Sequence, residues 1–419
     1  MKIFFISSAG CSLDLAMKVK DEGHDETLYI KYKESQDIGH GLVNRTNTLN
    51  GMSDADLVVI DDVGFGAIAD NLRAEGKAVI GGSKITDKLE NDRMYGHDIM
   101  KAVGIIVPKA TGFKDFKSAR ELIKQTDKRY VFKSNGQKDK FLTHVATDSE
   151  EMLAMMDHFE KSWEGEPNFE LQEFVDGIEV AVSGWFDGEK FIPPIFPNFE
   201  HKKLMEGDKG PNTYEMGTVL IGTPFNKLYH ETLGRIEPFL KTSGYVGSFD
   251  LNCIATSSAI YGLEFTSRFG DPTIQIQSDL HFGPWGNFFK KLVDKKVNIV
   301  PAMMDKWAVG VAICTLPYPM ENNSKQFKDL PLFIYNEEDI TDTIHLHSVY
   351  KKGKQYLQGG DNGYIMICTS NGKTIEKAQA KVYEIVEDSV YVPSEMWRSD
   401  IGDRVLEDYP KLEEWGWFA

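Results

Sequence analysis

The first apolar run, 2–6 (KIFFI), stops at a Ser/Gly turn and gives way to helical spacing over 13–20. The runs 56–60 (DLVVI) and 78–80, the latter ending at Gly81-Gly82, repeat the pattern. Such alternation predicts a parallel sheet flanked by helices, with ligands at the carboxyl ends of the strands, near 7–12 and 61–66. Residues 87–103 are polar with helical spacing and read as one helix, closed by Gly104 and Pro108. Farther on, 129–133 (RYVFK), 169–174 (FELQEF), 179–185 (EVAVSGW) and 190–192 alternate with the turns Asp176-Gly177 and Asp187-Gly188. They predict a small α+β lobe of antiparallel strands. Within 245–275, SFDLNCIA and YGLEF form a hairpin pair; beyond about 308 come the strands IHLHSV and GYIMICTS, a helix over 374–386 and a polar tail.

The 419 residues allow two or three domains. A composition of 41% hydrophobic and 26% charged residues belongs to a folded chain. With 47 Lys and Arg against 64 Asp and Glu, the formal charge is −17. That balance disfavours nonspecific binding to nucleic acid or anionic membranes, which need basic surface. Four cysteines without a CxxC pair suggest neither a disulfide framework nor a cysteine zinc site, and point to a reducing compartment. No stretch reaches the roughly 18 apolar residues of a membrane helix, so the expected location is the cytoplasm.

Asp250 and Glu264 are read as facing one another across the hairpin. Two carboxylates on one sheet face are costly unless a cation neutralises them, and magnesium suits such a pair; exposed strand acids are the alternative. Next along the chain come Arg268, placed to hold a phosphoryl or acyl-phosphate oxygen, and the turn Gly270-Asp271-Pro272. In 208–217 (DKGPNTYEMG), glycine and proline set an irregular backbone while Asp208, Asn212 and Thr213 supply polar groups; His201-Lys202-Lys203 adds positive charge just before it. Lys133 ends a strand and is followed by Asn135, Gly136, Lys138 and Lys140, a basic loop able to close over phosphates or a solvated turn. Gln172, Glu173 and Val175, with Glu179 farther on, could give backbone contacts to a base and a carboxylate for a ribose. His345 and His347, without a third nearby His or Cys, read as ordinary strand residues. The tail Trp415-Gly416-Trp417-Phe418 is expected to pack on a neighbouring surface.

Taken in order, 201–217 (HKKLMEGDKGPNTYEMG), 263–275 (LEFTSRFGDPTIQ) and the C-terminal run from 308–319 to 397–405 (WRSDIGDRV) resemble the ATP-grasp superfamily, more closely its glycinamide ribonucleotide synthetases. The resemblance implies a multidomain α/β and α+β chain: a preATP-grasp parallel α/β domain over 1–98, an ATP-grasp domain over 99–305 with a mobile lobe at about 115–180, and a closing domain over 306–419. It implies an ADP-forming ligase, a monomer or homodimer, that uses ATP with Mg2+ (or Mn2+) to activate a carboxylate as an acyl phosphate, which an amine then attacks. By position, Arg93, Lys133, Gln172, Glu173, Val175 and Glu179 would hold ATP. Asp250, Glu264 and Thr266 would hold the metal, Asp208, Asn212, Thr213 and Arg268 the substrates, and Arg268 and Asp271 would be catalytic.

Departures bear on the substrate. The family's metal-binding Asn is Thr266 here, and its lysine before the linker is Arg93, with Lys88 as a possible substitute. Its Gly-Gly-Arg-Glu-His run, which helps bind phosphoribosylamine, becomes Ala9-Gly10-Cys11-Ser12-Leu13; its Gly-Pro-Glu turn becomes Asp61-Asp62-Val63, and its GGMG becomes Tyr214-Glu215-Met216-Gly217. The reading is a ligase that joins an amino acid such as glycine to a changed amine acceptor, for instance a modified nucleotide. The alternatives are a phosphoribosylamine-glycine ligase and a catalytically silent ATP-binding homologue.

Overall fold

The computed structural model describes residues 1–134, 143–281, 283–298, 306–322 and 325–419. The N-terminal alternation builds a five-stranded parallel sheet in the order Arg45–Thr46, Asp25–Ile30, Lys2–Ser7, Leu57–Ile60, Val79–Ile80. Every residue of Leu57–Ile60 is buried, as a parallel strand covered on both faces requires. At the carboxyl end of Lys2–Ser7 the chain turns through Gly10, whose φ of +97° and closeness to Ile38 leave no room for a side chain.

The single helix expected over 87–103 is two, Lys84–Asn91 and Arg93–Ala102. Asp92 breaks the run because its carboxylate accepts the Tyr95 backbone N–H at 3.1 Å and so starts a new helix. Arg93 thereby becomes a first-turn residue of the second helix.

Residues 110–173 carry an antiparallel sheet in the order Ala110–Phe113, Phe169–Glu173, Tyr130–Ser134, His144–Val145. Helices Phe116–Thr126 and Ser149–Ser162 pack with it around a separate core that includes Ile123, Phe132, Met156, Phe159 and Phe169. The strands predicted at 179–185 and 190–192 do not belong to this lobe. They are Ile178–Phe186 and Phe191–Glu200, and they lie inside the large sheet, because the short linker after Glu173 carries the chain across to it.

Among the described residues that large sheet has eight antiparallel strands, in the order Ile260–Thr266, Gly247–Ala255, Ile178–Phe186, Phe191–Glu200, Gly217–Ile221, Trp307–Cys314, Tyr364–Gly372, Ile344–Leu346. It runs on through Trp307–Cys314, so strands from both sides of position 305 share one sheet. One face carries Val180, Val182, Phe199, Leu251 and Phe265, all buried. The segment read as one strand, IHLHSV, divides into Ile344–Leu346 in this sheet and Val349–Lys352 in a smaller one.

The aromatic tail packs on its own chain. The Trp417 indole N–H donates to the Thr256 carbonyl at 2.8 Å, and Phe418 stacks on Tyr409 with ring centroids 4.6 Å apart. No helix among the described residues is long and apolar enough to cross a membrane. Because Trp417 is only 2% exposed, Trp417→Ala should lower the unfolding free energy by about 3–5 kcal/mol in a denaturant titration.

Candidate functional site

The other face of the large sheet is polar where its first four strands meet. Register places Glu179, Ser183, Asn198, Glu200, Asp250, Asn252, Glu264 and Thr266 on it. Asp250 sits opposite Thr266, and Glu264 opposite Asn252, so the two acids share a face one rung apart instead of facing each other directly. Asn198 Nδ2 donates to Asp250 Oδ2 at 3.1 Å. The remaining oxygens, Asp250 Oδ1, Asn198 Oδ1 and Asn252 Oδ1, are buried without hydrogen-bond partners. Burial, reinforced by the charge of Glu200, pushes the Asp250 carboxyl up to about 7. Three orphaned oxygens beside the half-exposed Glu264 form a hard, all-oxygen donor set that fits Mg2+.

Cations close the set from two sides. Arg93 NH2 lies 3.5 Å from Glu264 Oε2, and its Nε 4.0 Å from Glu170 Oε1. Lys202 Nζ bridges Glu179 at 3.1 Å and Glu200 at 2.8 Å. Burial works to raise the Glu179 carboxyl, but Lys202 and Arg404 outweigh it and hold the group below its ordinary value. Lys133, buried at the end of its strand, donates to Gln172 Oε1 at 2.9 Å. Desolvation and the neighbouring Arg93 bring its ammonium down to about 8. Lys133 and Gln172 thus come together, and the Lys133 ammonium senses Arg93, Glu264 and Lys202 across the gap between lobe and sheet.

The remaining expectations divide. Glu173 turns its carboxylate outward to Lys128 at 2.9 Å and Lys109 at 3.6 Å, while Val175 lies in the linker behind it. Lys88 stays over the Tyr95 ring, 3.9 Å from Asp92, so Arg93 is the cation that reaches Glu264. Asn212 donates to the Thr143 carbonyl at 3.1 Å, and the Thr213 hydroxyl donates to the Lys202 carbonyl at 2.8 Å. Asp208 is not drawn into this cluster: Arg398 of the C-terminal motif holds its Oδ1 at 2.9 Å. His201 does not add charge, since burial and the nearby Arg404 and Arg398 bring its imidazole down to about 3. The loop with Asn135, Gly136, Lys138 and Lys140 lies outside the described residues.

At the carboxyl ends of the parallel strands a second group forms around Arg268. Its Nε lies 2.9 Å from Glu90 Oε1 and 3.5 Å from Asp62 Oδ1. Burial opposes its charge, but Glu90 and Asp62 more than compensate and keep it protonated. Asp61 accepts the Ser12 backbone N–H at 2.8 Å, and burial together with Asp62 pushes its carboxyl up to about 7. Asp271 Oδ2 lies 2.8 Å from His347 Nε2. His347 is therefore not an ordinary strand residue: folding brings Cys11 and Asp271 to it from distant parts of the chain.

Asn198, Asn252 and Glu200 were missed as candidate site residues, and Lys202 was read only as part of a basic run. The strict alternation of Asn198 and Glu200 with the buried Pro197 and Phe199 was the available signal. Glu215 also went unassigned; burial, then Glu200, raises its carboxyl well above the ordinary value.

Residues 91–274 match the family model described as Phosphoribosylglycinamide synthetase, ATP-grasp (A) domain. A phosphoribosylamine–glycine ligase of Corynebacterium ammoniagenes is 26% identical over 358 residues, covering 81% of this chain and 80% of the relative. A phosphoribosylamine–glycine ligase structure from Thermotoga maritima superposes with a TM-score of 0.72 at 21% identity, covering 96% of this chain and 100% of that one. The biotin carboxylase domain of 2-oxoglutarate carboxylase from Hydrogenobacter thermophilus, in complex with ADP, magnesium and bicarbonate, superposes at 0.64 and 13% identity, covering 93% and 90%. Residues 91–274 thus match an ATP-grasp domain model, and the chain as a whole is similar to the phosphoribosylamine–glycine ligases in sequence and fold.

The raised Asp250 and Asp61 carboxyls set a pH dependence. Between about pH 4 and 7 these two carboxyls hold protons that the unfolded chain releases, so their own contribution to the stability of the metal-free protein falls as pH rises, against the opposite contribution of the lowered His201 imidazole. Asp250→Asn should remove Asp250's share, at most about 4 kcal/mol, in denaturant titrations at pH 5 and pH 8. Magnesium should stabilise the wild type more at pH 8 than at pH 5.

Proposed function

We propose that this protein is an ADP-forming carboxylate–amine ligase of the ATP-grasp type. A carboxylate oxygen takes the γ-phosphoryl group of ATP and ADP leaves; an amine attacks the acyl phosphate, phosphate departs, and an amide remains. The observation that carries the reading is the polar sheet face, with its orphaned oxygens at Asp250, Asn198 and Asn252, lying opposite Lys133 and Gln172 of the lobe. Phosphoryl transfer needs charge neutralisation and alignment more than covalent help, and this arrangement supplies both.

Lys133 and Arg93 neutralise phosphate oxygens, with Gln172 orienting the Lys133 ammonium. The backbone around Glu173 and Val175 borders the adenine, and Glu179, steadied by Lys202, accepts from the ribose hydroxyls. Asp250, Glu264 and Thr266, joined by Asn252 and Asn198, would hold Mg2+. When bound, that ion screens the phosphate charge. Arg268, held by Glu90 and Asp62, faces the acyl phosphate and stabilises charge on its carbonyl oxygen as the amine adds. Asn212 and Thr213 border the amino-acid side, where Glu215 takes the place of a family glycine; Asp208 is committed to Arg398.

Arg268 is held by Glu90 and Asp62, and Asp61 and Asp271 stand near the neighbouring Cys11. That negative surround favours a cationic amine over a sugar phosphate, so the acceptor is read as changed. The similarity to phosphoribosylamine–glycine ligases favours the second reading, glycine joined to phosphoribosylamine.

The deciding experiment is ADP release with Mg-ATP across amino acids, each paired with phosphoribosylamine or with nucleotide and polyamine amines. Turnover with a cationic acceptor supports the first reading and turnover only with glycine and phosphoribosylamine supports the second; no ADP release from any pair would overturn the ligase assignment. With the active pair, Arg268→Ala should lower kcat roughly a hundred- to thousandfold. Lys133→Met should raise the KM for ATP in the same assay.

A further inference from the structure

Cys11 lies in the turn after the first parallel strand, Asp271 in the loop after the polar hairpin, and His347 just past the Ile344–Leu346 strand. Their ligand atoms, one sulfur, one carboxylate oxygen and one imidazole nitrogen, all lie within 4.8 Å of one another. The imidazole carries the independent observation. His347 is 3% exposed, and its Nε2 lies 2.8 Å from Asp271 Oδ2, so the ring is held with this nitrogen turned into the cluster. Asp271 Oδ1 is buried and unpartnered. Nδ1 of the same ring meets the Ser348 hydroxyl at 3.0 Å, which fixes the ring and leaves Nε2 for the cluster.

We propose that Cys11, Asp271 and His347 form a binding site for a Zn2+-class ion, separate from the all-oxygen magnesium set at Asp250 and Glu264. Mixed sulfur, nitrogen and oxygen ligation suits zinc, whereas magnesium avoids thiolate. Three protein ligands leave a fourth tetrahedral position for water or a substrate group. The surroundings accept the charge: Asp61 and Asp62 are near, and the Arg268 guanidinium is already engaged by Glu90 and Asp62. Binding displaces the Cys11 thiol proton to solvent. Because the three ligands come from the N-terminal sheet, the loop after the hairpin and the C-terminal part, the ion would clamp these regions together and fix the loop that carries Arg268.

The test uses the full chain, stripped of metal with a chelator and titrated with Co2+ alone and with Zn2+ alone. Co2+ at the oxygen set gives no thiolate band; at the proposed site it gives a thiolate-to-cobalt charge-transfer band. Wild type should show the band at one Co2+ per chain, and Zn2+ should raise the thermal midpoint. Cys11→Ser and His347→Gln, confirmed as folded by circular dichroism, should each weaken Zn2+ binding by at least about a hundredfold, and Cys11→Ser should abolish the band. Cys314→Ala is the control, because that buried thiol also senses Asp271. No band in the wild type, a band surviving Cys11→Ser, or one lost in Cys314→Ala would overturn the proposal.

Discussion

Asp250 is a carboxylate buried in a sheet, one of whose oxygens has no hydrogen-bond partner, and much of the site is arranged around that unfavourable placement. Without a cation it is relieved only by holding a proton, which is why its carboxyl rises to about 7. Asn198 and Asn252 share the face and each leave an oxygen free, so the neighbourhood is rich in acceptors and short of donors. Lys202 and Arg93 supply positive charge from the rim, on Glu200 and Glu264, and leave the centre open. This imbalance suits a site completed by a divalent ion and its nucleotide.

The fold supplies the means to hold the imbalance in place. The opposite face of the same strands is continuous apolar core, which fixes the register that sets Asp250 beside Asn198 and Asn252. The break at Asp92 turns one helix into two and sets Arg93 at the start of the second, within reach of Glu264 and Glu170. The lobe carrying Lys133 and Gln172 has a core of its own and joins the sheet through the linker after Glu173. A lobe with a separate core can change its distance from the sheet without disturbing either core.

Strands were legible wherever apolar runs were bounded by turn residues, as in Lys2–Ser7, Leu57–Ile60 and the hairpin of Gly247–Ala255 with Ile260–Thr266. Sheet membership was not: Ile178–Phe186 looks local to the lobe, but its partners on one side lie about seventy residues later, at Gly247–Ala255. The hairpin acids could be read from spacing, while their rung depends on turn geometry and a bulge after Asn252. Arg268 could be singled out in sequence as a candidate functional cation, but Glu90 and Asp62 were not legible as its partners, because both arrive from the N-terminal region. The same holds for His347, which looked ordinary in sequence only because Cys11 and Asp271 reach it through the tertiary fold.

The central claim is that the polar sheet face and the Lys133 lobe enclose a metal–nucleotide site. Its most direct test is an anomalous difference map from crystals grown with ADP and Mn2+. The account predicts a manganese peak between Asp250 and Glu264, with the diphosphate reaching toward Lys133. A peak away from these carboxylates, with the nucleotide bound elsewhere on the chain, would contradict it.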